Sequence, residues 1–152
     1  MKIISLNEVF KSFIVFNMKI FPEYPDTSGP YVSQRRINKL KPKVIHILQT
    51  KKAAILKGFQ KLATRYEKPP VIKLHIDEAI EKVRNARVTY ESDSLHGESD
   101  DYRIWIPKNK TNDAHLMGTL LHEALHYICT FNGKDICSKD EHYVMRLLGD
   151  DC

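Results

Sequence analysis

Between Lys43 and Lys68, apolar side chains return every three or four positions: Val44, Ile45, Leu48, Ile55, Leu56, Phe59, Leu62, Ala63 and Tyr66. That period predicts an amphipathic helix with Lys43, Lys57, Lys61 and Lys68 on its opposite side. Lys51 and Lys52 fall on the apolar side, which allows a break near residue 50, and "KPP" closes the segment. The period then shortens. "VIKLHI" (71–76) is rich in β-branched residues and predicts a strand, and "DEAIEKVRN" predicts a short helix. "ARVTYES" and "DYRIWIP" predict two more strands, joined as a hairpin by the polar loop "DSLHGESD".

The strongest helical pattern is "TNDAHLMGTLLHEALHYICTFNG" (111–133). Asn112 or Asp113 can cap it, and Leu116, Met117, Leu120, Leu121, Ala124, Leu125 and Ile128 make a broad apolar face. Asn132-Gly133 is the expected stop. A last short helix, "SKDEHYVMRLLGDD", is expected to begin at Ser138 with Glu141 in the capping-box position. The Pro- and Gly-bearing stretch "EYPDTSGPY" (23–31) separates an N-terminal segment, residues 1–30, from a domain over 31–152. The expected fold is α+β: a long N-terminal helix, a small three-stranded sheet, the strong helix, and a short C-terminal helix.

Composition narrows the class. A chain of 152 residues, 42% hydrophobic and 28% charged, is long enough for one self-sufficient core. The apolar N-terminus is broken by Glu8, Lys11, Asn17 and Lys19 and has no small-residue cleavage site before Pro22, so it reads as a core-packing strand or short helix. Cys129, Cys137 and Cys152 are odd in number and lack ribbon spacing, which fits a reducing, intracellular compartment. Charge is uneven: residues 35–68 carry +10 and the rest of the chain −5. Lys43, Lys57, Lys61 and Lys68 are therefore candidate phosphate contacts for DNA, beside the plainer reading of a solvated helix face.

Within the strong helix, "TLLHEALHYI" places His122 and His126 four residues apart, with Glu123 after the first. Imidazoles at i and i+4 lie one above the other on a helix face and can reach one ion. Zinc takes neutral imidazole at about 2.0–2.1 Å, and a catalytic site keeps three protein ligands and one water. Glu123, about 100° further round the helix, stands beside such a site and can take a proton from the water.

This motif resembles that of the zincin metallopeptidases, and the order of hairpin, HEALH helix and following helix looks most like the SprT-like and minimal gluzincin branches. The resemblance covers residues 86–150, and only HEALH within it is a sharp motif. It implies a zincin-like fold and zinc-dependent peptide-bond hydrolysis, with Zn2+ on His122 and His126 and Glu123 as general base. It also implies a protein or peptide substrate, which for SprT-like enzymes is typically attached to DNA. The metzincin pattern is excluded, because Cys129 and Asn132 stand where it needs Gly and His. A SprT-like third ligand would be His142; a gluzincin one would be Glu141. Glu141 lies three before Val144 on the expected packing face, which favours it, with His142 or Tyr143 then stabilising the oxyanion. Met145 stands where gluzincins often have Asp.

Other features keep two readings. Tyr102–Ile106 is either a cleft strand that pairs with an extended substrate or a core strand around Trp105. Cys129 reads as a buried thiol before it reads as a ligand. His115 is expected to be exposed, and His46, His75 and His96 have no evident partner. Two rivals to an enzyme stand: a catalytically silent zincin scaffold, and a basic DNA-binding module with an incidental HEALH.

Overall fold

The computed structural model describes residues 18–23, 29–89 and 97–151. The N-terminal residues 1–17, His96 and Cys152, which carried expectations above, lie outside the described residues. The fold is α+β. Its elements run α1 (Gln34–Thr50), α2 (Lys52–Ala63), β1 (Ile72–Leu74), α3 (Ile76–Arg84), β2 (Arg87–Thr89), β3 (Glu98–Ser99), β4 (Ile104–Pro107), α4 (Asp113–Leu125), β5 (Cys129–Phe131), β6 (Lys134–Asp135) and α5 (Ser138–Leu147).

The lysine-rich segment is two helices, not one. α1 begins at Gln34, nine residues before the periodicity suggested, because Ser33 Oγ accepts the Arg36 amide at 3.2 Å. Ile37 and Leu40 carry the buried face back through Pro42 to join Val44 and Leu48. The break falls at Lys51, which leaves Lys51 and Lys52 exposed. Lys43 is on α1, Lys57 and Lys61 are on α2, and Lys68 follows α2, so the four do not form one helical stripe.

Among the described residues there are two three-stranded sheets, ordered β1-β5-β6 and β2-β4-β3. The expected hairpin is not formed between its two predicted strands. β2 pairs parallel with β4, while β3, from the intervening loop, pairs antiparallel with β4. β4 is thus held on both sides, which favours the core-strand reading of "DYRIWIP"; Ile104 and Ile106 are buried.

α4 is the hub. It packs on α1, α3, α5, β3 and β4, burying Leu116, Leu120, Leu121, Ala124 and Leu125. Each such leucine contributes about 1.5–3 kcal/mol relative to exposure. Asn112 caps it, its side chain accepting from the His115 amide at 2.8 Å. Arg36 ties that end to α1: Nη2 meets Asp113 Oδ1 at 2.7 Å and the Thr111 carbonyl at 2.9 Å. Met18, Ile20 and Phe21 join the same core, and the Ile20 amide donates to the Leu148 carbonyl at 2.8 Å. No helix of the described residues is long and apolar enough to cross a membrane.

Candidate metal centre

The three histidines converge. His122, His126 and His142 each offer a ring nitrogen, and the three lie within 4.8 Å of one another. The His122 and His126 Nε2 atoms are 3.3 Å apart. Two nitrogens held about 2.0–2.1 Å from one tetrahedral ion stand about 3.3–3.4 Å apart, so this pair has the spacing of two ligands on one metal. The His142 ring lies 5.1 Å from that of His122, nearly parallel at 30°, and 5.0 Å from that of His126.

Each ring of the HEALH pair turns its other nitrogen to a buried carboxylate. His122 Nδ1 meets Asp150 Oδ2 at 2.5 Å, and His126 Nδ1 faces Glu141 Oε2 at 3.4 Å. A carboxylate accepts, so it favours the tautomer with the proton on Nδ1 and leaves Nε2 as the free donor of electrons. Burial, aided by the His126 and His122 rings, holds the His142 imidazole below its ordinary range, which favours the neutral form that binds metal.

Glu123, next to His122 in the chain, is buried, 6% exposed. Gly97 lies against it: a Cβ there would come 3.2 Å from Glu123 Cγ and 3.3 Å from Oε1. A side chain at residue 97 would therefore crowd Glu123 and make it give by a few tenths of an ångström.

The helix ends earlier than its apolar pattern suggests. α4 stops at Leu125, His126 is extended (φ −67°, ψ 141°), and Tyr127 is left-handed at φ 62°. Cys129 to Phe131, expected as helix, form β5 instead. The Tyr127 amide, which a continuing helix would give to the Glu123 carbonyl, donates to Glu141 Oε2 at 2.7 Å. The Glu123 carbonyl instead accepts from Lys82 Nζ at 3.1 Å, and the His126 carbonyl from the same ammonium at 2.6 Å.

No family model, curated protein or solved structure matches the chain.

The i, i+4 spacing predicts His122 and His126 side by side, as they are, and the expected packing face puts Glu141 ahead of His142 at the third position. In the structure His142 joins the cluster, while Glu141 sits behind it, 3% exposed, holding Tyr127 and facing His126. Glu141 is the more buried of the two, as the expected rotation implies, yet it is the half-buried His142 that joins the cluster. Nor is Glu141 a capping residue: Cys137 is the N-cap of α5 and no side chain caps it. Tyr143 lies outside the cluster with the Arg65 guanidinium 4.3 Å above its ring. Cys129 is a buried free thiol, and His115 is half-buried rather than exposed.

Two residues of the site carried no expectation. Asp150 reaches His122 through a Schellman turn: Gly149 is left-handed (φ 97°), its amide donates to the Arg146 carbonyl at 3.1 Å, and the Asp150 amide donates to Met145 at 3.0 Å. The signal was the Gly-Asp pair after the last apolar residue of α5. Lys82 lies on the buried side of α3 with Ala79 and Val83, so a lysine at a core position was visible but not its partners.

Proposed function

We propose that the chain is a zinc-dependent metallopeptidase of zincin-like fold, with His122, His126 and His142 as ligands and Glu123 as general base. The 3.3 Å separation of the His122 and His126 Nε2 atoms, with His142 beside both, carries this reading. A set of three neutral imidazoles suits zinc and leaves a fourth position for water or substrate. Zinc supplies Lewis acidity, lowering the pKa of a water molecule and polarising a carbonyl oxygen.

The chain's own groups divide the remaining work. Asp150 and Glu141 orient the two HEALH rings. Glu123 takes the proton of the attacking water and returns it to the leaving amine. Its burial against Gly97 restricts the carboxylate to few positions, which is what proton transfer over a hydrogen-bond distance needs. A third histidine from the following helix supports the SprT-like branch over the gluzincin one. The excess of cation over residues 35–68 supports substrates bound to nucleic acid.

The test joins metal content to activity on an unfolded protein. One zinc per chain is expected, with hydrolysis abolished in Glu123→Gln while zinc is retained. A chain that takes up no zinc, or a Glu123→Gln variant as active as the parent, overturns the reading. Retained zinc with no hydrolysis in either protein selects the silent scaffold.

A further inference from the structure

A helix that ran on past Leu125 would join the Tyr127 amide to the Glu123 carbonyl. Here two buried groups of opposite charge have taken those partners apart. Glu141 holds the amide at 2.7 Å, and Lys82 holds the carbonyl at 3.1 Å. Lys82 then spans to the His126 carbonyl at 2.6 Å, so a single ammonium grips the chain on both sides of the helix end.

Lys82 is only 1% exposed. Burial pushes it down to about 8, opposed by the Glu141 and Glu123 carboxylates. Burying an ammonium costs several kcal/mol before its partners are counted, and buried ion pairs are often replaced by apolar side chains with no loss of stability. Ala79 and Val83, the neighbours of Lys82 on the buried side of α3, are apolar. Filling the core therefore does not account for a cation here. What the cation does that an apolar side chain could not is fix two carbonyls, and one of them belongs to His126.

That matters because His126 lies just outside α4. His122 is held by helical hydrogen bonds; the second ring of the pair has no such frame and needs its backbone fixed from elsewhere. We propose that Lys82 is a positioning residue of the metal centre, gripping the Glu123 and His126 carbonyls so that the turn at the end of α4 presents His126 Nε2 to His122 and His142. The purpose of the device rests on the metallopeptidase reading; the grip itself does not need a metal.

Lys82→Met and Lys82→Gln in the full chain test this by two readouts: side-chain NMR of the histidine rings without zinc, and zinc affinity by chelator competition. In folded Lys82→Met the His126 ring signals shift or broaden while those of exposed His46 stay, and zinc affinity falls about tenfold or more. Lys82→Gln, still an N–H donor, recovers part of both. A core-filling role would lower thermal stability and leave ring signals and affinity unchanged. Lys82→Met with wild-type ring signals, or with zinc affinity within about twofold of wild type, overturns the proposal. Should the wild-type chain bind no zinc, the metallopeptidase reading fails and the zinc-free ring signals alone decide for or against Lys82. Should Lys82→Met not fold, Lys82→Gln is judged by the same two readouts.

Discussion

Asp150 Oδ2 accepts from His122 Nδ1 at 2.5 Å, joining a residue three past the end of α5 to the first HEALH histidine of α4 across 28 positions of chain. The contact favours the Nδ1-protonated tautomer and one direction of the His122 ring, and the Asp150 side chain is 1% exposed. Loss of such an outer partner typically lowers metal affinity about 10–100-fold. Asp150→Ala is therefore expected to bind zinc about 10–100-fold more weakly in a competition titration, with Asp150→Asn intermediate.

The approach of Gly97 to Glu123 gives a prediction of a different kind. A methyl group at residue 97 would meet Glu123 Cγ and Thr119 Cγ2 at 3.2 Å, and Thr119 is fixed by its hydroxyl donating to the His115 carbonyl at 3.0 Å. Glu123 is then the group that moves. Neighbours at these distances give way by a few tenths of an ångström, enough to disturb the position of the carboxylate proposed to take the proton. Gly97→Ala should keep its zinc and lose up to about tenfold in kcat, read from steady-state hydrolysis beside metal analysis.

How far the site was legible follows from where each contact originates. His122, Glu123 and His126 are set by spacing within one helix, and spacing is what a sequence displays. Leu116 to Leu125 announced the buried face for the same reason. The end of α4 was not legible, because Lys82 and Glu141, 41 and 14 residues away, take the hydrogen bond that would have prolonged it. The parallel pairing of β2 with β4 was hidden by a polar loop that looked like a hairpin turn and contains β3. The choice of His142 over Glu141 as companion of the two HEALH rings depends on how α5 packs on α4, which periodicity does not encode.

That choice is open to direct measurement. His142→Ala removes one of three converging nitrogens, so zinc should be lost at concentrations that saturate the parent. Glu141→Gln keeps an oxygen for the Tyr127 amide and leaves the three rings in place, so it should still bind zinc, though more weakly. A chelator titration that finds the reverse order would make Glu141 the ligand.

Glu141 also has a structural duty that can be separated from the metal. Its Oε2 is the partner that the Tyr127 amide has instead of a helical carbonyl. A hydrogen bond to a charged, buried group contributes about 1.5–3 kcal/mol. Urea unfolding with chelator present should show Glu141→Ala destabilised by about that amount, and Glu141→Gln by clearly less.

Cys129 and Cys137 should differ sharply toward alkylating reagents. Cys129 begins β5 and is 3% exposed; burial first, and the Glu141 carboxylate second, push its thiol up to about 12. Cys137 is exposed at the start of α5. Only the thiolate reacts, so at pH 8 the reactive fraction of Cys129 is on the order of 10⁻⁴, beneath a steric block as well. The sign of the linkage is fixed by the same shift: the folded state keeps the proton that the unfolded chain gives up near pH 9, so this stabilising contribution is complete below pH 9 and is lost as pH rises toward 12. Iodoacetamide at pH 8 followed by mass spectrometry should label Cys137 and leave Cys129 intact, with both labelled after unfolding in urea. Equal labelling of the two in the native chain would mean that β5 does not shield Cys129 and that the turn joining it to His126 is open.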